Sequence, residues 1–374
     1  MELKDIRKQI DACDAELTRL LVERMKCSLA VAEVKKAQNL PLYHPGREQE
    51  ILQKVRAEGG EYGSYLAEIY AFIMACSREL QSTRLNAGRP LPEYREQALQ
   101  VNGSVACYGT DGAFTHLALR AVYPGAQPVF FGRFAAVFEA VHSGRCAFGI
   151  VPVENSTAGS VREVYDLLLQ YKSYIVGSVN MAVQHNLLAK PGTALSAVKT
   201  VYSHPQALSQ CNGFIRAHGL KAVEYQNTAE AAKLVAHSAD GSVAAIGSAY
   251  CADEYGLNIL APAIQDYQNN CTRFAVLSNR PVFEPGSNKI SLSFATPHTP
   301  GALQKILTRF ALHGLNLTKL ESAAGKGGDF ETQFYLDFDG CLKNRDTAQL
   351  LQTLADEVRD FAFLGNYRVQ KVQE

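Results

Sequence analysis

From Leu3 to Lys36 the chain contains neither Gly nor Pro. Within that run Ile6, Ile10, Cys13, Leu17, Leu20 and Leu21 recur every three or four residues, the spacing that gathers side chains on one face of a helix. The same run carries Arg7, Arg24 and Lys35. Arg24 and Lys35 fall within about 20° of each other and roughly 16 Å apart along such a helix, whereas Arg7 is rotated by about 100° from Arg24. One rod can hardly clamp a small anion with all three cations, but a paired or swapped second copy could bring a distant Arg into the same site. A solvated charged face is the competing reading.

A length of 374 residues with 47% hydrophobic content suits two or three globular domains. The 37 basic residues balance 37 acidic ones, so no global field favours nucleic acid or a membrane surface, and only a local cationic pocket is open. The cysteines stand singly without a CxxC pair, and the start of the chain has no signal-like apolar segment. These features point to a reduced, cytoplasmic chain. Short apolar runs predict no transmembrane helix, and the scattered Cys and His offer no compact zinc spacing.

Three regions differ in pattern. Residues 1–88 read as three helices: Pro41 and Pro45 break the first, a second starts near Gly46 and is stopped by Gly59, Gly60 and Gly63, and Leu66–Leu85 forms the third. Ser77 and Gln81 share a face of that third helix. Residues 89–102, with Pro90 and Pro92 just after Gly88, read as a linker. Residues 103–280 alternate strands such as Ser104–Tyr108, Ala147–Val151 and Val198–Tyr202 with helices at Phe134–His142, Val161–Leu169, Pro205–His218 and Thr228–Ser238. A second β-α series from Ile175 predicts two lobes facing a cleft. Residues 281–374 give a β-α-β-β-α-β order, from the strand Lys289–Ala295 through the strand Phe330–Phe338 to a last strand at Phe361–Lys371, as in a ferredoxin-like domain.

Polar groups cluster at three junctions of the middle region: the run from Val151 through Glu154, Asn155, Ser156 and Thr157 to Ser160; Ser203-His204-Pro205-Gln206; and Asn270-Cys271-Thr272-Arg273-Phe274. Donors at a strand-to-helix junction suit an anion, and an ordinary capped loop is the alternative.

In this order the segments resemble the family of bifunctional chorismate mutases/prephenate dehydratases of phenylalanine biosynthesis, over nearly the whole chain. The resemblance extends to Thr299-Pro300-Gly301-Ala302-Leu303 and Glu321-Ser322 of an ACT-like regulatory segment. It implies a multidomain protein: an all-α chorismate-mutase-like domain, a two-lobed α/β periplasmic-binding-protein-like dehydratase domain and an α+β ferredoxin-like ACT domain. It places Arg7, Arg24, Lys35, Arg47, Glu48, Ser77 and Gln81 at the chorismate pocket, with Arg7 reaching the neighbouring protomer's site. Arg24 and Arg47 would clamp carboxylates, Lys35 and Gln81 would donate to the ether oxygen, Glu48 would accept from the substrate hydroxyl, and Ser77 would assist orientation.

At the dehydratase site the resemblance makes Thr272 catalytic and Arg273 a structural or substrate-binding cation, with Asn155, Ser156, Thr157, His204 and Gln206 binding substrate and Glu154 neutralising Arg273 or fixing its loop. Gly301, Ala302, Leu303, Glu321 and Ser322 would form a regulatory phenylalanine site. The implied partners are chorismate, prephenate and phenylalanine, on a cytoplasmic homodimer or higher oligomer without nucleic acid, membrane, cofactor or metal. Three positions depart from the family pattern. His44 stands where an acidic residue can precede the Arg47-Glu48 pair, and Ala323-Ala324 replace Arg-Pro after Glu321-Ser322. The alternatives are a dehydratase with a mutase-like assembly domain and a non-enzymatic regulator that binds aromatic acids.

Overall fold

A computed structural model of the chain describes residues 2–38, 40, 44–85, 94–267, 269–324 and 331–372. Pro41, the linker positions Gly88, Pro90 and Pro92, and Phe330 lie outside the described residues. The chain divides into two units, Met1–Glu93 with Ser293–Phe361, and Tyr94–Leu292 with Ala362–Glu374. Among the described residues no helix is long and apolar enough to cross a membrane.

The first segment forms α1 (Leu3–Gln38), α2 (Pro45–Glu58) and α3 (Gly63–Leu85). Of the 36 residues of α1, only Ser28 and Ala32 are buried, while Leu3, Ile6, Ile10, Leu17 and Leu20 are exposed within the single chain. The helix thus keeps the expected periodicity but leaves its apolar stripe uncovered. Gly59 ends α2 by donating its backbone N–H to Val55 O. Gly63 is not a stop: it opens α3 where a Cβ would lie 2.1 Å from Arg56 O, so its bare backbone lets α3 start against α2.

The second unit begins with the short β1 (Arg95–Glu96) and continues through β2 (Gly103–Tyr108), α4 (Phe114–Val122), β3 (Ala126–Phe131), α5 (Phe134–His142), β4 (Phe148–Asn155), β5 (Gly159–Ser160), α6 (Arg162–Tyr171) and β6 (Tyr174–Ala182). A second lobe follows: β7 (Asn186–Ala189), β8 (Thr200–Ser203), α7 (Pro205–Gln210), α8 (Asn212–Ala217), β9 (Lys221–Glu224), α9 (Thr228–His237), β10 (Val243–Gly247), α10 (Ala249–Tyr255) and β11 (Asn258–Ala261). The chain then returns through β12 (Cys271–Ser278) and β13 (Val282–Phe283).

In the first lobe β6, β12, β4, β2 and β3 lie side by side, and in the second the order is β11-β7-β10-β8-β9. The second lobe therefore starts at Asn186, not near Ile175, because the strand containing Ile175 pairs with β12 in the first sheet. Two crossovers join the lobes, and they are tied together: Ile264 N–H donates to His185 O at 2.8 Å, and His185 N–H donates to Gln265 Oε1 at 3.0 Å.

The remaining elements are β14 (Lys289–Thr296), α11 (Ala302–Leu312), β15 (Leu317–Ala324), β16 (Thr332–Asp339), α12 (Arg345–Glu357), β17 (Arg359–Tyr367) and β18 (Val369–Val372). The sheet order β15-β16-β14-β17 is that of a ferredoxin-like β-α-β-β-α-β arrangement. The expected last strand is split at Arg368. β18 leaves this sheet and pairs parallel with β6, because Arg368 O accepts from Ser178 N–H and turns the chain onto the open edge of the larger sheet.

Within the first unit α3 packs on α11 and α12 through buried polar groups. Arg309 Nε lies 3.5 Å from Glu79 Oε2, and its Nη2 donates to Glu357 Oε1 at 2.8 Å. His313 Nε2 lies 2.9 Å from Glu79 Oε1. The side chains of Glu79 and Arg309 are only 10% and 9% exposed. Removing one partner of such a pair strands a desolvated charge, so Glu79→Ala is expected to lower stability by about 3–5 kcal/mol. Urea unfolding followed by a probe in the first unit checks this expectation.

Candidate active sites

The helical segment gathers polar groups where α1 meets α3. Arg24 Nη1 donates to Ser77 Oγ at 2.5 Å, and Ser77 Oγ donates to Ile73 O at 2.9 Å. One turn further along α3, Gln81 Nε2 donates to Ser28 Oγ at 3.2 Å. Arg78 pairs with Glu48 from α2. Burial lowers the Lys35 pKa most, Glu48 opposes that shift, and Arg78 lowers it further. Arg24, Ser77 and Gln81 thus share the α1–α3 surface, with Lys35 and Glu48 linked electrostatically. Arg78 was missed from the sequence, although it adjoins Ser77.

Arg47 and Arg7 are not brought to these groups. Arg47 is 69% exposed and pairs with Glu50 at 3.1 Å. Arg7 is exposed, about 25 Å along α1 from Arg24. His44 is the N-cap of α2, its Nδ1 accepting the Arg47 N–H at 3.1 Å. An imidazole lone pair serves here as a carboxylate cap would.

A cavity of about 340 Å³ opens between the lobes of the second unit, lined by Asn155 and Thr272 from one lobe and by His204, Gln206 and Gln210 from the other, with His185 at a crossover. Thr272 lies opposite Asn155 in the β12–β4 ladder. Asn155 Nδ2 donates to Thr272 Oγ1 at 2.9 Å and to Asn270 Oδ1 at 2.8 Å. Its Oδ1 accepts backbone N–H groups from Thr157 and Ala158, each at 3.1 Å, which fixes the amide's orientation. With its oxygen accepting from Asn155, the Thr272 hydroxyl has its own proton to donate, and it faces the cavity.

Successive strand residues point to opposite faces, and Arg273 is not among the cavity-lining residues that include Thr272 and Phe274. Its Nη2 pairs with Glu154 Oε2 at 2.9 Å and donates to Tyr165 OH at 3.2 Å. This supports the structural reading of Arg273 over substrate contact. Ser156 is exposed and stitches loops together, accepting from Cys271 N–H and donating to Asn269 O. Thr157 donates from its hydroxyl to Asn155 Oδ1 at 2.7 Å and accepts from Gln210 Nε2 at 2.6 Å. His204 caps α7, its Nδ1 accepting the Gln206 N–H. Sequence reasoning missed His185 and Gln210, and it marked Asn270 only as part of the polar junction around Thr272 without giving it a role.

A second cavity, of about 700 Å³, is lined by residues 296–304 with Thr332 and Phe334. Gly301 caps α11 there with φ +76°, a conformation glycine adopts without strain. Ala302 and Leu303 line it too, but Glu321 and Ser322 do not. Those two lie on β15 opposite Tyr335 and Phe334, with Glu321 paired to Lys319 at 3.4 Å.

Two family models match the chain: chorismate mutase type II over residues 6–82 and prephenate dehydratase over residues 105–282. A bifunctional chorismate mutase/prephenate dehydratase of Aquifex aeolicus is 32% identical, covering 100% of this chain and 99% of the relative. The chain belongs to the bifunctional chorismate mutase/prephenate dehydratase family. The Escherichia coli K12 bifunctional enzyme is 30% identical over 98% of this chain and 96% of its own. Among solved structures, prephenate dehydratase from Arthrobacter aurescens in complex with L-Phe matches with a TM-score of 0.64 and 30% identity, over 71% of this chain and 89% of that one. Both halves of the family's double activity thus have a matching segment here, the helices and the two-lobed unit.

Burial is the leading cause that lowers the pKa of His116, His185 and His204, all in the two-lobed unit. The unfolded chain therefore binds more protons than the folded one. Stability is full above the ordinary histidine value of 6.5 and is lost as pH falls through the lowered folded values. Thermal unfolding of this unit is expected to shift to lower temperature between pH 7 and pH 5. A midpoint that stays constant or rises would contradict this.

Proposed function

We propose that the chain rearranges chorismate to prephenate on its helical segment and converts prephenate to phenylpyruvate in the cleft of its two-lobed unit. The observation that carries the second reaction is the Thr272 hydroxyl, oriented as a donor by Asn155 inside the cavity. The ring carboxylate leaves as CO2 and its bonding pair enters the ring. The ring C–O bond then breaks with the Thr272 O–H hydrogen-bonded to the departing oxygen, and the hydroxide takes a proton from solvent to leave as water. Asn155, Thr157, His204 and Gln206 bind substrate around it.

The first reaction needs no covalent step. Arg24 grips a carboxylate, Glu48 and Ser77 orient the ring, and Lys35 and Gln81 stabilise charge on the ether oxygen as its bond lengthens. Arg7 serves the site of a second copy. The uncovered stripe of α1 supports this homodimer, since fully burying each Leu or Ile is worth about 1.5–3 kcal/mol. Phenylalanine regulation through the cavity at Gly301, Ala302 and Leu303, with Glu321 and Ser322 beside it, is supported by the L-Phe bound to the Arthrobacter relative. This ACT-like division, with boundaries at 88, 103 and 281, and a cytoplasmic location complete the reading.

The test is to incubate the purified protein separately with chorismate and prephenate and to follow both acids and phenylpyruvate over time. Phenylpyruvate is expected from each. Turnover of prephenate alone would reduce the helices to an assembly element, and turnover of neither would overturn the reading.

A further inference from the structure

The orientation of one amide can be propagated through the cleft. The backbone donors of Thr157 and Ala158 fix Asn155 Oδ1, so Asn155 Nδ2 faces Asn270 Oδ1. Asn270 must then present its own NH2 to Gln210 Oε1, 3.1 Å away. That leaves Gln210 Nε2 to bridge from the second lobe to Thr157 and Asn155 in the first. His185 Nε2 lies 2.9 Å from the same Gln210 Oε1. An acceptor oxygen requires a donor, so the imidazole carries its proton on Nε2.

Its other nitrogen, Nδ1, is buried without a partner among the described residues. An imidazolium would strand a second N–H there, in keeping with the burial that lowers the His185 pKa. The ring is held edge-on to Phe114 at 5.7 Å, and its backbone is tied to Ile264 and Gln265 of the other crossover. A rigid donor thus stands at the junction of the lobes, aimed at the amide that clasps them beside Thr272.

We infer that His185, as the neutral Nε2–H tautomer, is a positioning residue for prephenate dehydration, holding Gln210 so that its amide NH2 clasps Thr157 and Asn155 across the cleft. The inference rests on the dehydratase reading. His185 acts through Gln210 and Asn155 on the placement of the Thr272 hydroxyl.

The test compares His185→Leu with His185→Gln, which restores an amide donor. His185→Leu is expected to lower kcat for prephenate on the order of 10-fold to 100-fold, with KM nearly unchanged and chorismate turnover on the same chain intact. His185→Gln should recover most of the loss. Unchanged kcat in His185→Leu, a loss confined to KM, or equal loss in both variants would overturn the proposal. If His185→Leu fails to fold, the wild-type imidazole decides through its 15N chemical shifts. A protonated Nε2 with a bare Nδ1 is required, and the opposite tautomer overturns the proposal. That readout stands even if wild-type protein leaves prephenate untouched, an outcome that would defeat the dehydratase reading instead.

Discussion

Thr272→Val lowers kcat for prephenate by about 10²-fold to 10⁴-fold, the range for losing a positioned proton donor, and leaves chorismate turnover at the wild-type rate. Valine keeps the shape and β-branching that suit β12, so the strand and its register survive. Asn155 Nδ2 loses one acceptor but retains Asn270 Oδ1 and the Cys271 carbonyl. The loss is therefore chemical rather than structural. Thr272→Ser, which keeps the hydroxyl without the methyl that restrains its rotamer, should fall between the two. Steady-state kinetics on both substrates check the expectation. Equal loss in both reactions would point to misfolding and defeat the assignment of Thr272.

Arg24→Ala and Arg7→Ala each lower kcat/KM for chorismate by roughly 10²-fold to 10³-fold, as expected when a fixed donor to a developing or bound negative charge is removed. Prephenate turnover stays near wild type in both. In the proposed homodimer each site combines Arg24 of one copy with Arg7 of the other. Mixing the two inactive variants by co-expression should then yield heterodimers with one of their two sites intact and mutase activity recovered. The exposed Arg7 and the uncovered apolar stripe of α1 motivate the experiment. Heterodimers as inactive as their parents would exclude the shared site.

What the sequence displayed was local order. The Gly-free and Pro-free run became α1, Phe134–His142 formed a helix with those bounds, and the polar junctions at Asn155, His204 and Thr272 converged on one cavity. Non-local pairing was hidden. Ile175 looked like the start of a new lobe because a strand carries no mark of the sheet it joins. β18 likewise looked continuous with β17 until the Arg368 turn carried it to β6. Gly63 resembled a helix stop because the close approach of Arg56 O is a tertiary fact. His185 and Gln210 showed no motif, since what makes them notable is the direction of hydrogen bonds spanning from 25 to 60 residues. Arg273 was legible as important but not as facing away from the cavity, because which face of β12 borders the cleft depends on how the lobes pack.

In the proposed reading one chain holds two separable active sites. The most direct measurement supplies the Thr272→Val protein with chorismate and follows the mass balance of chorismate, prephenate and phenylpyruvate. Chorismate is expected to disappear at the wild-type rate while prephenate accumulates in equal amount, with phenylpyruvate held to a small residue. Chorismate left unconsumed, or phenylpyruvate still formed at the wild-type rate, would contradict this reading.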